Sequence, residues 1–175
     1  MAKIVFRNSG KVIEGEENIK SFLEPYGVKY EKWGTERLPE DLKTDYEINE
    51  ENQKAIINAY KEELDKLKKE MGYITEDIVV LSEKTPNLED LLEKFKKEHH
   101  HVDDEVRFVV DGSGVFPIKI DGEIVDVFVE EGDLIVVPAG ARHWFELDEQ
   151  RKIKCIRVFK TPAGWEAIYE EECKA

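Results

Sequence analysis

Between Glu98 and Gly114 the chain reads EHHHVDDEVRFVVDGSG, in which His99-x-His101-x3-Glu105-x6-Gly112 sets three metal-type donors ahead of a glycine. A further donor, His143, follows in the segment PAGARHW, and these two places hold all four histidines of the chain. Alternate side chains of an extended strand share a face. His99, His101, Glu105 and Arg107 therefore point the same way if the strand register runs through Asp103-Asp104. Three donors and one cation then line a single wall. His100 has the opposite parity and reads as a bystander.

The chain on either side of this wall has two different periodicities. Before it, Ile4 to Arg7 and Lys11 to Glu14 read as a hairpin around Asn8-Ser9-Gly10, and Glu16 to Glu24 as a short helix ended by Pro25 and Gly27. Val28 to Trp33 reads as a strand, and Glu36 to Tyr46 as a surface connection. Asn49 caps a longer helix whose apolar stripe is Ile56, Ile57, Tyr60, Leu64, Leu67 and Met71, with Glu62/Lys66 and Asp65/Lys69 as exposed pairs and Gly72 as its end. Its alternating charges read as a solvated face rather than a binding patch. Asp77 to Leu81 follows as a strand, and Asn87 caps a helix with Leu88, Leu91, Leu92 and Phe95 at helical spacing.

After His99 the pattern changes to short strands separated by turn signals. Val106 to Val110 and Val115 to Ile120 flank Asp111-Gly112-Ser113-Gly114, and Asp121-Gly122 suits a type I′ hairpin into Ile124 to Val129. Leu134 to Val137, His143 to Leu147 and Ile153 to Lys160 complete the series before Pro162-Ala163-Gly164. Such spacing predicts a closed or sandwiched antiparallel barrel over about residues 99–169, with the helices of residues 1–98 packed outside it. At 175 residues the chain is most simply one domain, long enough to bury a sizeable core.

Cysteine and charge narrow the partners. Cys155 and Cys173 are too few for a disulfide framework, and no signal-like or long apolar segment is present, so the sequence reads as an intracellular, cytoplasmic protein. A formal net charge of -14 repels phosphate backbones and anionic membrane surfaces, which excludes nucleic acid and lipid as expected partners. A small anion is still compatible with it, because a buried cation such as Arg107 acts locally.

Three imidazoles and one carboxylate form a borderline to hard donor set, suited to divalent iron, nickel, manganese, cobalt or zinc. With four protein ligands, an octahedral metal keeps two adjacent positions for a bidentate oxygen substrate. His143 lies in a second matched spacing, Gly132-x5-Pro138-x-Gly140-x2-His143, which speaks against a surface histidine run.

These two blocks resemble the two motifs of the cupin superfamily, whose fold is an antiparallel jelly-roll barrel; Leu147 stands where many cupins have Asn. Over nearly the whole chain the sequence is similar to the acireductone dioxygenases of the methionine salvage pathway. The likeness is carried by Phe95-x3-His99, EVRF at Glu105 to Phe108, HWF at His143 to Phe145, Ile156-Arg157-Val158-Phe159, Gly164-Trp165, YGVKYEKW and KKEMGYITEDIVVL. The resemblance implies one Fe(II) or Ni(II) per chain, held by His99, His101, Glu105 and His143, and a substrate region at Arg107, Arg157, Phe95, Phe145 and Trp165. It also implies cleavage of 1,2-dihydroxy-3-keto-5-methylthiopentene by O2. The iron form would give formate and the 2-keto acid precursor of methionine, and the nickel form formate, carbon monoxide and 3-methylthiopropionate. A monomer is the expected state.

Other readings of single residues stay open. Phe95 completes an amphipathic stripe, and Phe145 and Trp165 are equally compatible with core packing. Arg157 shares parity with Ile153, Cys155 and Phe159, so it needs an anionic partner, either a substrate or a structural Asp or Glu. Cys155 reads as a small buried hydrophobe. A different cupin enzyme and a non-catalytic cupin would share the same metal site.

Overall fold

The computed structural model describes residues 2–47, 49–95, 99–100, 104–159 and 168–169. His101 and Trp165 lie outside the described residues, as do the side chains of Phe95 and His99. Strands β1 (Lys3–Phe6) and β2 (Val12–Glu14) pair antiparallel as the expected hairpin. Helix α1 (Glu16–Leu23) buries Ile19 and Leu23, and the chain turns at Gly27, whose φ of 79° is the left-handed conformation favoured by glycine. Strand β3 (Lys29–Lys32) follows.

The segment expected to be a plain connection contains a short helix, α2 (Glu40–Thr44). The long helix expected after Asn49 is two, α3 (Glu50–Ala59) and α4 (Lys61–Met71), broken at Tyr60 with φ −111° and ψ 19°. Packing overrides the continuous stripe there. The Tyr60 hydroxyl donates to the Gly34 carbonyl at 2.6 Å, and its ring packs against Trp33 and Phe108 at centroid distances of 6.2 and 4.6 Å. Asn49 caps α3 in a reciprocal box with Asn52, worth about 1 kcal/mol. Asp65 pairs with Lys61, one turn earlier than expected.

Strand β4 (Thr75–Leu81), helix α5 (Leu88–Phe95) and the short β5 (His99–His100) lead to β6 (Glu105–Ile120). The remaining strands are β7 (Glu123–Glu130), β8 (Asp133–Val137), β9 (Glu146–Leu147), β10 (Ile153–Phe159) and β11 (Ile168–Tyr169). Asp121 and Gly122 take φ of 51° and 80°, as a type I′ turn between β6 and β7 requires. His143 makes only an isolated bridge to Ile118, so the strand expected over His143 to Leu147 reduces to β9.

The 16-residue β6 organises the architecture. Its first half lies between β8 and β10, and β3 and β4 extend that sheet at its two sides. Its second half lies between β7 and β9, with β1 and β2 beyond β7. All these pairings are antiparallel, and together they form a curled half-barrel. The Asp111 to Gly114 stretch is therefore no turn. Its glycines are needed for close approach: a Cβ on Gly112, which has φ 81°, would lie 2.2 Å from the Lys152 carbonyl oxygen. The register with β10 slips between Lys154 and Cys155, a bulge of the kind that bends a strand.

Alternation along these strands separates two apolar clusters. Val109, Phe116, Ile118, Val125, Val127, Ile135, Val137, Ile153 and Cys155 face inward, joined by Ile19 and Leu23 of α1 and Leu88 and Leu92 of α5. Val106, Phe108, Val110, Leu134, Val136, Ile156 and Val158 face the opposite way and pack on Ile56, Tyr60, Leu64 and Leu67 of α3 and α4. Helices α2, α3 and α4 thus pack outside the sheet, as expected, α2 through Leu42, while α1 and α5 join the inner cluster. Each fully buried aliphatic side chain contributes about 1.5–3 kcal/mol.

Candidate metal centre

Glu105 opens β6 opposite Val137 of β8, on the inner face with Arg107 and Val109. His143 reaches the same place from the loop after β8. Its backbone is held on both sides by the second half of β6, through Lys119 N–H to the Arg142 carbonyl at 2.9 Å and Trp144 N–H to the Pro117 carbonyl at 3.1 Å. The His143 side chain is buried, with Nδ1 2.9 Å from the Ala141 carbonyl oxygen and Nε2 2.5 Å from Glu105 Oε2. Nδ1–H donates to Ala141, so the contact between Nε2 and the carboxylate requires a second proton on the ring or a cation in its place.

The second carboxylate oxygen is also engaged. Arg107 Nη2 donates to Glu105 Oε1 at 2.8 Å, and Nη1 donates to the Val106 carbonyl at 2.9 Å. Burial pulls the His143 pKa down, but the Glu105 charge and hydrogen bond outweigh it, and the net shift is upward. Glu105, Arg107 and His143 are thus brought together as the sequence pattern predicts.

The other candidates fall around this group. Arg157 of β10 lies directly opposite Arg107 in the register and forms a bidentate pair with Asp77 of β4, at 2.8 and 2.6 Å. Asp77 was not singled out from the sequence, although an inward arginine among apolar neighbours signals such a partner. Phe145 packs on Phe116 with centroids 5.1 Å apart, and its ring fills the space that a side chain at Gly114 would occupy. Cys155 is buried, which pushes its thiol up to about 12, the protonated and inert state at neutral pH. Phe95 ends α5, and His99 pairs with Tyr169 through the backbone of β5 and β11.

The model of the ARD/ARD' family matches residues 3–167. The chain belongs to this family, that of the acireductone dioxygenases. It is 74% identical over 171 residues to the acireductone dioxygenase of Sulfurihydrogenibium sp. strain YO3AOP1, covering 98% of this chain and 96% of the relative. The Bacillus subtilis strain 168 acireductone dioxygenase is 45% identical over 161 residues, covering 91% of this chain and 90% of that one. Among solved structures, the acireductone dioxygenase of Bacillus anthracis with a cadmium ion in its active centre superposes with a TM-score of 0.93 at 44% identity, covering 97% and 98% of the two chains. Family membership makes this chain an oxidoreductase of the dioxygenase type with the cupin fold. No helix among the described residues is long and apolar enough to cross a membrane.

Proposed function

We propose that this acireductone dioxygenase family member cleaves 1,2-dihydroxy-3-keto-5-methylthiopentene with O2, using one Fe(II) or Ni(II) per chain held by His99, His101, Glu105 and His143. The observation that carries the reading is the convergence of His143 Nε2 and Glu105 Oε2 on one buried point beside Arg107. Imidazole and carboxylate are donor types suited to a divalent cation, and the backbone bond at Nδ1 leaves Nε2 as the nitrogen that a metal would take in place of its proton.

When bound, the metal would supply Lewis acidity toward the oxygens of the ionised substrate. The chain's own residues do the rest. Arg107 orients the Glu105 carboxylate through Oε1 and presents positive charge where the enediolate forms, favouring its ionised state. Arg157, fixed by Asp77, adds a second guanidinium on the same row. Phe145, packed on Phe116, supplies apolar wall for the methylthio chain, and Phe95 and Trp165 are assigned to the same role by the family resemblance alone.

Separate Fe(II) and Ni(II) forms mixed anaerobically with the acireductone and then given O2 test the proposal. The iron form is expected to yield formate and the 2-keto acid, and the nickel form formate, carbon monoxide and 3-methylthiopropionate. No metal-dependent O2 uptake in either form would overturn it.

A further inference from the structure

We propose that Asp104 is a positioning residue that holds Glu105 and His143 in place from the opposite face of the β6 strand, an inference that rests on those two being metal ligands. Continuing the β6–β8 register one step past Glu105 and Val137 brings Asp104 opposite Pro138. Proline has no N–H, so the backbone ladder cannot continue through that residue. The Asp104 side chain takes over, accepting from the next amide, Ala139 N–H, at 2.9 Å.

Its other oxygen accepts from the buried Tyr73 hydroxyl at 3.0 Å. By parity Asp104 shares the face of Val106 and Phe108, where Tyr73 packs in the outer cluster, and so points away from Glu105. The connection to His143 runs through the turn after β8. Asp104 holds Ala139; Ala141 N–H donates to the Pro138 carbonyl at 3.1 Å; and the Ala141 carbonyl receives the ring proton of His143 at 2.9 Å. Asp104 is also joined by a peptide bond to Glu105. One carboxylate, anchored by Tyr73, thereby fixes both the strand carrying one ligand and the turn aiming the other.

The test compares the full-length wild type with Asp104→Ala, Asp104→Asn and Tyr73→Phe by three readouts: Ni(II) affinity from calorimetry, the visible spectrum of the Co(II) form, and the metal-free melting temperature. Asp104→Ala is expected to weaken Ni(II) binding by about 10- to 100-fold and to shift the Co(II) bands, which a purely structural tie would leave in place. Asp104→Asn keeps an oxygen for Ala139 and is expected to recover most of that affinity, whereas Tyr73→Phe loses a few-fold. If Asp104→Ala does not fold, the double variant Asp104→Asn/Tyr73→Phe is read in its place, with an expected loss of at least about threefold and a shifted spectrum. Ni(II) affinity within about twofold of wild type and an unchanged Co(II) spectrum in the variant so read would overturn the inference, whatever the melting temperature. A wild type that takes up no Ni(II) would instead remove the metal centre, and this inference with it.

Discussion

Arg107 and Arg157 stand directly opposite one another on neighbouring strands of the inner face. Like charges in that position repel, and each is offset by its own carboxylate: Glu105 for Arg107, and Asp77 for Arg157. The two pairs differ in kind. Asp77 meets Arg157 with both oxygens and is itself 39% exposed, whereas Glu105 gives Arg107 one oxygen and turns the other to His143. The first arrangement closes on itself; the second leads into the proposed metal site.

Arg107→Ala is therefore expected to retain Ni(II) but to lose turnover by a factor of tens to several hundred, equivalent to about 2–4 kcal/mol for one charge-assisted contact in a partly dry site. Arg107→Lys should recover only part, because an ammonium lacks the planar fork. Arg157→Ala is expected to lower turnover less, since Asp77 can return to water. Metal content, melting temperature and O2 uptake on the same preparations check this. Near-normal turnover per bound metal in Arg107→Ala would take Arg107 out of the site.

Gly114→Ala examines the wall beside that site. An added Cβ would come within 2.6 Å of Phe145 Cε1 and 3.3 Å of Ile153 Cδ1, so the ring must move. The expected cost is about 1–3 kcal/mol of stability, typical of overpacking, together with a raised KM. In the double variant Gly114→Ala/Phe145→Ala the clash disappears, and its destabilisation should be smaller than the sum of the single losses. Additive losses in urea denaturation would show that the ring is not the obstacle.

Much of the site is legible because its chemistry needs rare residue types at fixed spacing. Parity alone puts Glu105 and Arg107 on one face, and the turn spacing before His143 brings that residue beside Glu105. What escapes the sequence is set by long-range packing. The stripe through Tyr60 has unbroken helical periodicity, yet the chain kinks there because the Tyr60 hydroxyl finds the Gly34 carbonyl. Asp111 to Gly114 has the composition of a turn, yet strands on both sides hold it extended within β6. No local pattern links Arg157 to Asp77, 80 positions earlier.

Lys154 makes a similar long-range tie on the outer face. Fully buried, its amine donates to the carbonyls of Leu42 at 2.6 Å and Asp45 at 2.8 Å, fastening α2 and the residues after it to β10. Lys154→Met fills a comparable volume but leaves both carbonyls without this donor. The expected loss is about 1–3 kcal/mol, lessened by no longer burying a charge. Amide exchange should quicken around α2 while O2 uptake stays near normal. Unchanged exchange there would show that α2 is held by other contacts.

Under the proposed ligation, metal and proton compete for the same nitrogen of His143, which gives opposite pH dependences to the metal-free and metal-loaded proteins. Without metal, burial opposes the charged imidazole but Glu105 overrides it, so the folded-state pKa lies above the unfolded value. The folded chain then binds more protons than the unfolded chain between those two values, and stability falls as pH rises through that window. This contribution is complete below the unfolded pKa of about 6.5 and lost above the raised folded one. With metal bound, Nε2 is closed to protons while the unfolded histidine still takes one up, so the sign reverses: stability rises with pH through about 6.5. The gap in melting temperature between Ni(II)-loaded and chelator-treated protein is therefore expected to widen from pH 6 to pH 8, at fixed free metal. His143→Gln removes the titrating ring, and the Ni(II)-dependent gap should become smaller and flatter with pH. Differential scanning calorimetry of both proteins checks the slope; a wild-type gap that narrows toward pH 8 would contradict the assignment of His143 as a ligand.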